Sequence, residues 1–128
     1  MSAYSFGKNV NFDFDAAIER VTKELQKEGF GVLTDIDVKA TMKKKLDLDV
    51  APYRILGACN PTLAHQAISA EPEIGALLPC NVVVREAAGA VRVEIMDPKA
   101  VLKLVANPGV EKLAAEVRAR LDRVLAAL

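Results

Sequence analysis

At 128 residues, 52% apolar and 27% charged, the chain fits one domain built on a single core, a composition that excludes disorder and leaves no stretch for a linker. With 17 basic against 17 acidic residues the formal net charge is zero, so no global field draws in nucleic acid or an anionic membrane, and neither is expected as a partner. The first ten residues lack the apolar stretch of a signal peptide and no apolar run reaches the roughly 20 residues that span a bilayer, so one cytoplasmic domain over residues 1–128 is expected.

Tyr4 and Phe6 alternate with Ala3, Ser5 and Gly7, the period-2 pattern of a half-buried strand that Asn11 to Asp13 interrupt. Asp13 is an N-cap for a helix whose Phe14, Ile18, Val21 and Leu25 form one apolar stripe, and Gly29 ends it. Phe30 to Ile36 reads as a second strand. Asp37 then caps a short helix to about Leu46, on which Lys43-Lys44-Lys45 is a solvated face rather than a phosphate site, because Asp35, Asp37, Asp47 and Asp49 surround it. Tyr53 to Ala58 is a third strand, and Asn60-Pro61 starts a helix with Leu63, Ala64, Ala67 and Ile68 on its buried side.

Glu71-Pro72 breaks that helix, and a further turn leads to Pro79. Asn81 to Glu86 and Ala90 to Met96 form a hairpin turned at Ala88-Gly89, with Val91, Val93 and Ile95 on one side and Arg92 and Glu94 on the other. Asp97-Pro98 and Asn107-Pro108 repeat the Asx-Pro helix start. In the last helix Val110, Ala114, Val117, Leu121, Val124 and Leu128 alternate spacings of 4 and 3, the stripe of a helix that covers a sheet. The whole predicts an α+β two-layer sandwich, a mainly antiparallel sheet of about five strands covered by helices on one face.

Three ordered blocks carry a resemblance. Phe30 to Asp37, Tyr53 to Pro61 (Tyr-Arg-Ile-Leu-Gly-Ala-Cys-Asn-Pro) and Ile74 to Val84 (Ile-Gly-Ala-Leu-Leu-Pro-Cys-Asn-Val-Val-Val) resemble the prokaryotic domain of unknown function 302, and the similarity runs through Asp97-Pro98 into the last helix. The resemblance implies an α+β sandwich of the TATA-box-binding-protein type. It implies no settled activity, and fold analogy does not bring DNA binding with it.

The uncommon chemistry gathers between Pro52 and Val84, where Cys59-Asn60 ends one strand and Cys80-Asn81 begins another, with the single histidine, His65, between them. If those strands are antiparallel neighbours, Cys59 and Cys80 come together. Cys59 precedes a helix start, whose positive dipole end would favour its thiolate and lower its pKa. Against that stands plain packing, since cysteine is among the most buried residue types. His65 would complete a Cys-His pair only if the side chains converge, and a surface role suits it better. A zinc site would need a fourth ligand from Glu71 or Glu73, so no metal is expected. Asn60 and Asn81 divide between capping and orienting a ligand.

No Gly-rich phosphate loop, paired catalytic carboxylates or Ser-His-Asp order is present, so no catalytic residue and no cofactor are assigned. Two readings of different class remain. One is a thiol-centred site of Cys59, Asn60, Cys80, Asn81 and His65 that binds or senses a small molecule or oxidant. The other is a homodimeric binding module without chemistry, expected because a small chain with a high apolar share keeps surface for a two-fold partner.

Overall fold

The computed structural model describes residues 2–128. Five strands, β1 (Ser5–Val10), β2 (Gly31–Asp37), β3 (Tyr53–Cys59), β4 (Cys80–Ala87) and β5 (Ala90–Met96), form one sheet in the order β1-β5-β4-β3-β2, and every neighbouring pair is antiparallel. Between them run α1 (Phe14–Lys27), α2 (Val38–Leu46) and α3 (Pro61–Ala70), with a 3₁₀ segment over Pro72–Leu77. A short α4 (Pro98–Val101) and the long α5 (Pro108–Ala126) close the chain.

Side-chain oxygens begin the helices where the sequence predicts. Asp13 accepts from the Ala16 amide, Asp37 from Ala40, Asn60 from Leu63, Asp97 from Lys99 and Asn107 from Gly109. Each satisfies an amide that the first helical turn leaves without a partner. Proline follows the cap at Pro61, Pro98 and Pro108, where its missing N–H removes nothing. Helix α1 stops as Gly29 takes φ +84°, and the hairpin turns through Ala88 and Gly89 at φ +52° and +77°, the mirror-image geometry that matches strand twist.

One face of the sheet is dry. Leu56 and Ala58 of β3, Val82 and Val84 of β4, and Val93 and Ile95 of β5 are buried in register, and α1 and α5 cover them with Val21, Leu25, Val117, Leu121 and Val124. A second, smaller cluster under α3 joins Ala67, Ile74, Leu102, Val110 and Ala114. On the other face Arg85 donates to Glu94 (Nε–Oε1 2.6 Å), which Arg92 also approaches. One sequence expectation shifts. Ile68 is 44% exposed rather than buried on α3, because only Leu63 and Ala67 of that helix point inward. Helix α2 buries no residue.

Strands β1 and β5 approach so closely at Gly7 that a Cβ there would collide with the Val93 carbonyl and sit 2.9 Å from Glu94 Cα, both backbone atoms. Gly7→Ala is therefore expected to lower the urea midpoint by the equivalent of about 1–3 kcal/mol, the usual cost of overpacking. Gly31→Ala, where nothing lies within 4 Å of the added carbon, serves as the matched control and should leave the midpoint within about 0.5 kcal/mol or raise it. Equal effects of the two substitutions would contradict the close approach.

Candidate functional site

The register of β3 and β4 sets the site. Ala58 lies opposite Cys80 and Gly57 opposite Asn81, so Cys59 stands one residue past the last pair, where it is matched on its other side by Gly31 of β2. Successive residues of a strand face opposite ways, which directs Cys80 with Ala58 towards the helices and Cys59 with Gly57 away from them. Asn60 then turns the chain into α3, its carboxamide oxygen 3.1 Å from the Leu63 amide and the whole residue 9% exposed.

Both cysteines nevertheless line one pocket of about 310 Å³, which wraps the ends of β2 and β3 and the start of β4. Its walls are Phe30 and Leu33 from the β2 side, Leu63, Ala64 and Ala67 from α3, Leu78 and Pro79 before β4, and Leu113 and Val117 from α5. Thr34 and Asn60 are the polar residues among them, and the surface they enclose is almost wholly apolar. Gly57 is part of the reason the strands can end this way. A Cβ there would collide with Thr34 Oγ1 and come within 2.9 Å of Pro79 Cγ.

The structure thus brings three of the five candidate residues together, Cys59, Asn60 and Cys80, and leaves two outside. Asn81 is exposed in register with Gly57 and lines no part of the pocket. His65 is exposed on α3, two residues from both inward positions Leu63 and Ala67, so helical geometry turns it away from the thiols. Among the described residues no three His, Cys, Asp or Glu side chains come together as a metal site; Glu71 instead accepts from Asn107 Nδ2 at 3.2 Å.

Both thiols are free, and the expected depression of the Cys59 pKa is reversed. Burial pushes the Cys59 thiol above its ordinary value, because the apolar wall denies a thiolate its hydration. Burial raises Cys80 further, to about 11, and the nearby Cys59 adds to the effect because two thiolates would repel. The periodicities missed Leu33 as a wall residue. It sits at the irregularity between Val32 and Thr34 where β2 breaks register with β3, and an extra residue in one strand leaves no mark on an apolar pattern.

A two-layer α+β domain with one antiparallel sheet, helices on one side and an apolar pocket at the strand ends is the class defined by this geometry. The family model "Domain of unknown function DUF302" matches residues 6–128, and the chain belongs to that family. It is also similar to the crystal structure of an uncharacterized conserved DUF302 protein from Bacillus stearothermophilus, at 28% identity and a TM-score of 0.91 over 98% of both chains. No curated protein matches it. Among the described residues no helix is long and apolar enough to cross a membrane.

Raised pKa values keep both thiols protonated at neutral pH, and the thiol is a far weaker nucleophile than its thiolate. Iodoacetamide at pH 7 should modify the native protein slowly, Cys80 more slowly than Cys59, and the rate should climb as pH rises past 9; rapid alkylation of Cys59 at pH 7 would refute the assignment. A Cys80 proton held more tightly in the folded state than at its ordinary pKa of 9.0 stabilises the fold below that pH, and the contribution is lost as pH rises towards about 11. The stability gap between the wild type and Cys80→Ala should accordingly narrow over that interval in urea titrations.

Proposed function

We propose that this domain binds a small, neutral, mostly apolar molecule in the pocket at the ends of β2, β3 and β4, with Cys59 and Cys80 as soft contacts in its wall. The observation that carries the reading is the pocket itself: about 310 Å³ lined almost entirely by aliphatic, aromatic and thiol groups with few polar ones. That volume is at the lower end of the roughly 300–1,000 Å³ found for ligand sites and about twice the ~150 Å³ cavity that admits benzene. A ligand of two-ring size or a medium-length acyl chain suits it. A charged ligand does not, because no Lys, Arg, Asp, Glu or His lines the wall to replace the water it would lose.

The same chemistry favours ligand contact over the sensing of an oxidant. Redox-sensing cysteines combine a low pKa with open access, and these thiols have a raised pKa, with Cys80 buried. A protonated thiol is a polarizable, nearly apolar group that packs well against rings and chains.

The neutral fluorophore N-phenyl-1-naphthylamine tests the proposal. Its emission should rise on binding with a dissociation constant on the order of 0.1 mM or tighter, as expected for a ligand of modest size. Ala64→Phe, which projects a ring from α3 into the pocket, should weaken binding by at least tenfold while circular dichroism stays native. Leu33→Asp, at a residue 68% exposed, should do the same without cost to the fold. Absence of binding to the wild type, or binding indifferent to both substitutions, would overturn the reading.

A further inference from the structure

Asn60 carries a group that the fold leaves unused. Its carboxamide oxygen caps α3 through the Leu63 amide, and because an amide nitrogen cannot accept, that bond fixes Nδ2 on the other side of the carboxamide. Among the described residues nothing accepts a hydrogen from Nδ2. The residue is nonetheless only 9% exposed and is one of the two polar ones in the pocket wall. Thr34, the other, lies exposed on β2 and can turn its hydroxyl to water.

A buried donor without a partner is uncommon, because it forfeits the hydrogen bond that water would give it. Nδ2 is not sealed off: among the described residues no side-chain nitrogen or oxygen is both closed to solvent and unpaired. The chain also keeps room beside it. A Cβ at Gly29 would lie 2.8 Å from Nδ2 and 3.2 Å from Arg120 Nη1, so glycine there spares both nitrogens from crowding. Arg120 cannot serve the amide, being a donor itself and already bonded to the Glu28 carbonyl at 2.9 Å.

We propose that Asn60 Nδ2 is the polar anchor of the pocket, and that the ligand is a neutral, mostly apolar molecule carrying one oxygen acceptor of the ketone or ester kind. The anchor rests on the pocket at the strand ends being a ligand site, and it adds the chemical class of that ligand. Thiols donate weakly, which leaves the amide as the strong buried side-chain donor in an otherwise apolar wall. A hydrocarbon laid against Nδ2 would strip its water and leave it bare, whereas a carbonyl oxygen replaces that water bond for bond. A carboxylate suits the site less, since Arg120 stays with Glu28 and lines no part of the wall, so nothing there offsets the charge.

A matched pair of compounds separates the anchor from the pocket. 2-Acetylnaphthalene and 2-isopropenylnaphthalene have nearly the same shape, and the first offers an oxygen where the second has a methylene. Both should displace N-phenyl-1-naphthylamine from the wild type. Asn60→Asp keeps the shape and the cap but puts an acceptor where the donor stood, so the preference for ketone over alkene should fall by on the order of tenfold from wild type to variant. Comparing the ratio of the two affinities cancels the difference in hydrophobicity between the compounds and any general loss the new charge causes. Asn60→Ser, which also caps helices and is one bond shorter, should lose the same preference and serves if the aspartate disturbs the fold. In the wild type the Asn60 side-chain amide protons should shift in NMR spectra with the ketone and hold their place with the alkene. An affinity ratio unchanged in both variants, or amide protons that move alike with both compounds, overturns the anchor while leaving the pocket as a ligand site. A wild type that binds neither compound overturns both.

Discussion

One-sided burial at the centre of the sheet governs this molecule. Val82 and Val84 of β4, Val93 and Ile95 of β5 and Leu56 of β3 retain at most 1% of their surface, so the three middle strands are tied to a single register. A slip of one residue would turn all of them into water and draw Arg85, Arg92 and Glu94 inside. The position of α1 and α5 follows from the need to cover those five side chains. The position of Cys80 follows too, because it shares the inward alternation of Val82 and Val84.

Much of this was legible in the residues. Asx-Pro pairs name helix starts because both residues act locally, and Asn60, Asp97 and Asn107 each cap within three positions of themselves. The hairpin at Ala88-Gly89 is equally local, and the alternation of Val91, Val93 and Ile95 reveals which face is dry. The pocket is another matter. It arises from the distance between α3 and the strand ends, and periodicity reports which way a side chain points without reporting how far away the opposite wall lies.

The cysteines illustrate both halves of that lesson. Their proximity follows from strand order, and the antiparallel pairing of β3 with β4 supplies it. Their acidity does not, because a helix start and an apolar wall push a thiol pKa in opposite directions. Only the three-dimensional surroundings say how much hydration a thiolate would lose, and at Cys59 burial raises the pKa. His65 likewise lies between the two thiols in sequence yet faces outward, since its offset of two residues from the inward Leu63 and Ala67 amounts to more than half a helical turn.

Strand order also has a consequence in time. β1, at the start of the chain, finds its partner only in β5, with Ser5 paired to Met96 and Val10 to Val91. During synthesis the first strand emerges long before its template exists, and none of the segments made in between offers it an edge. A sheet lacking it leaves one side of β5 unpaired. Arg118 of α5 then stacks over Phe6, its guanidinium carbon 3.8 Å from the ring centroid, and binds Asp97 at 2.8 Å. Helix α5, about 100 residues further along the sequence, is thus the element that fastens the first strand at the edge of the sheet.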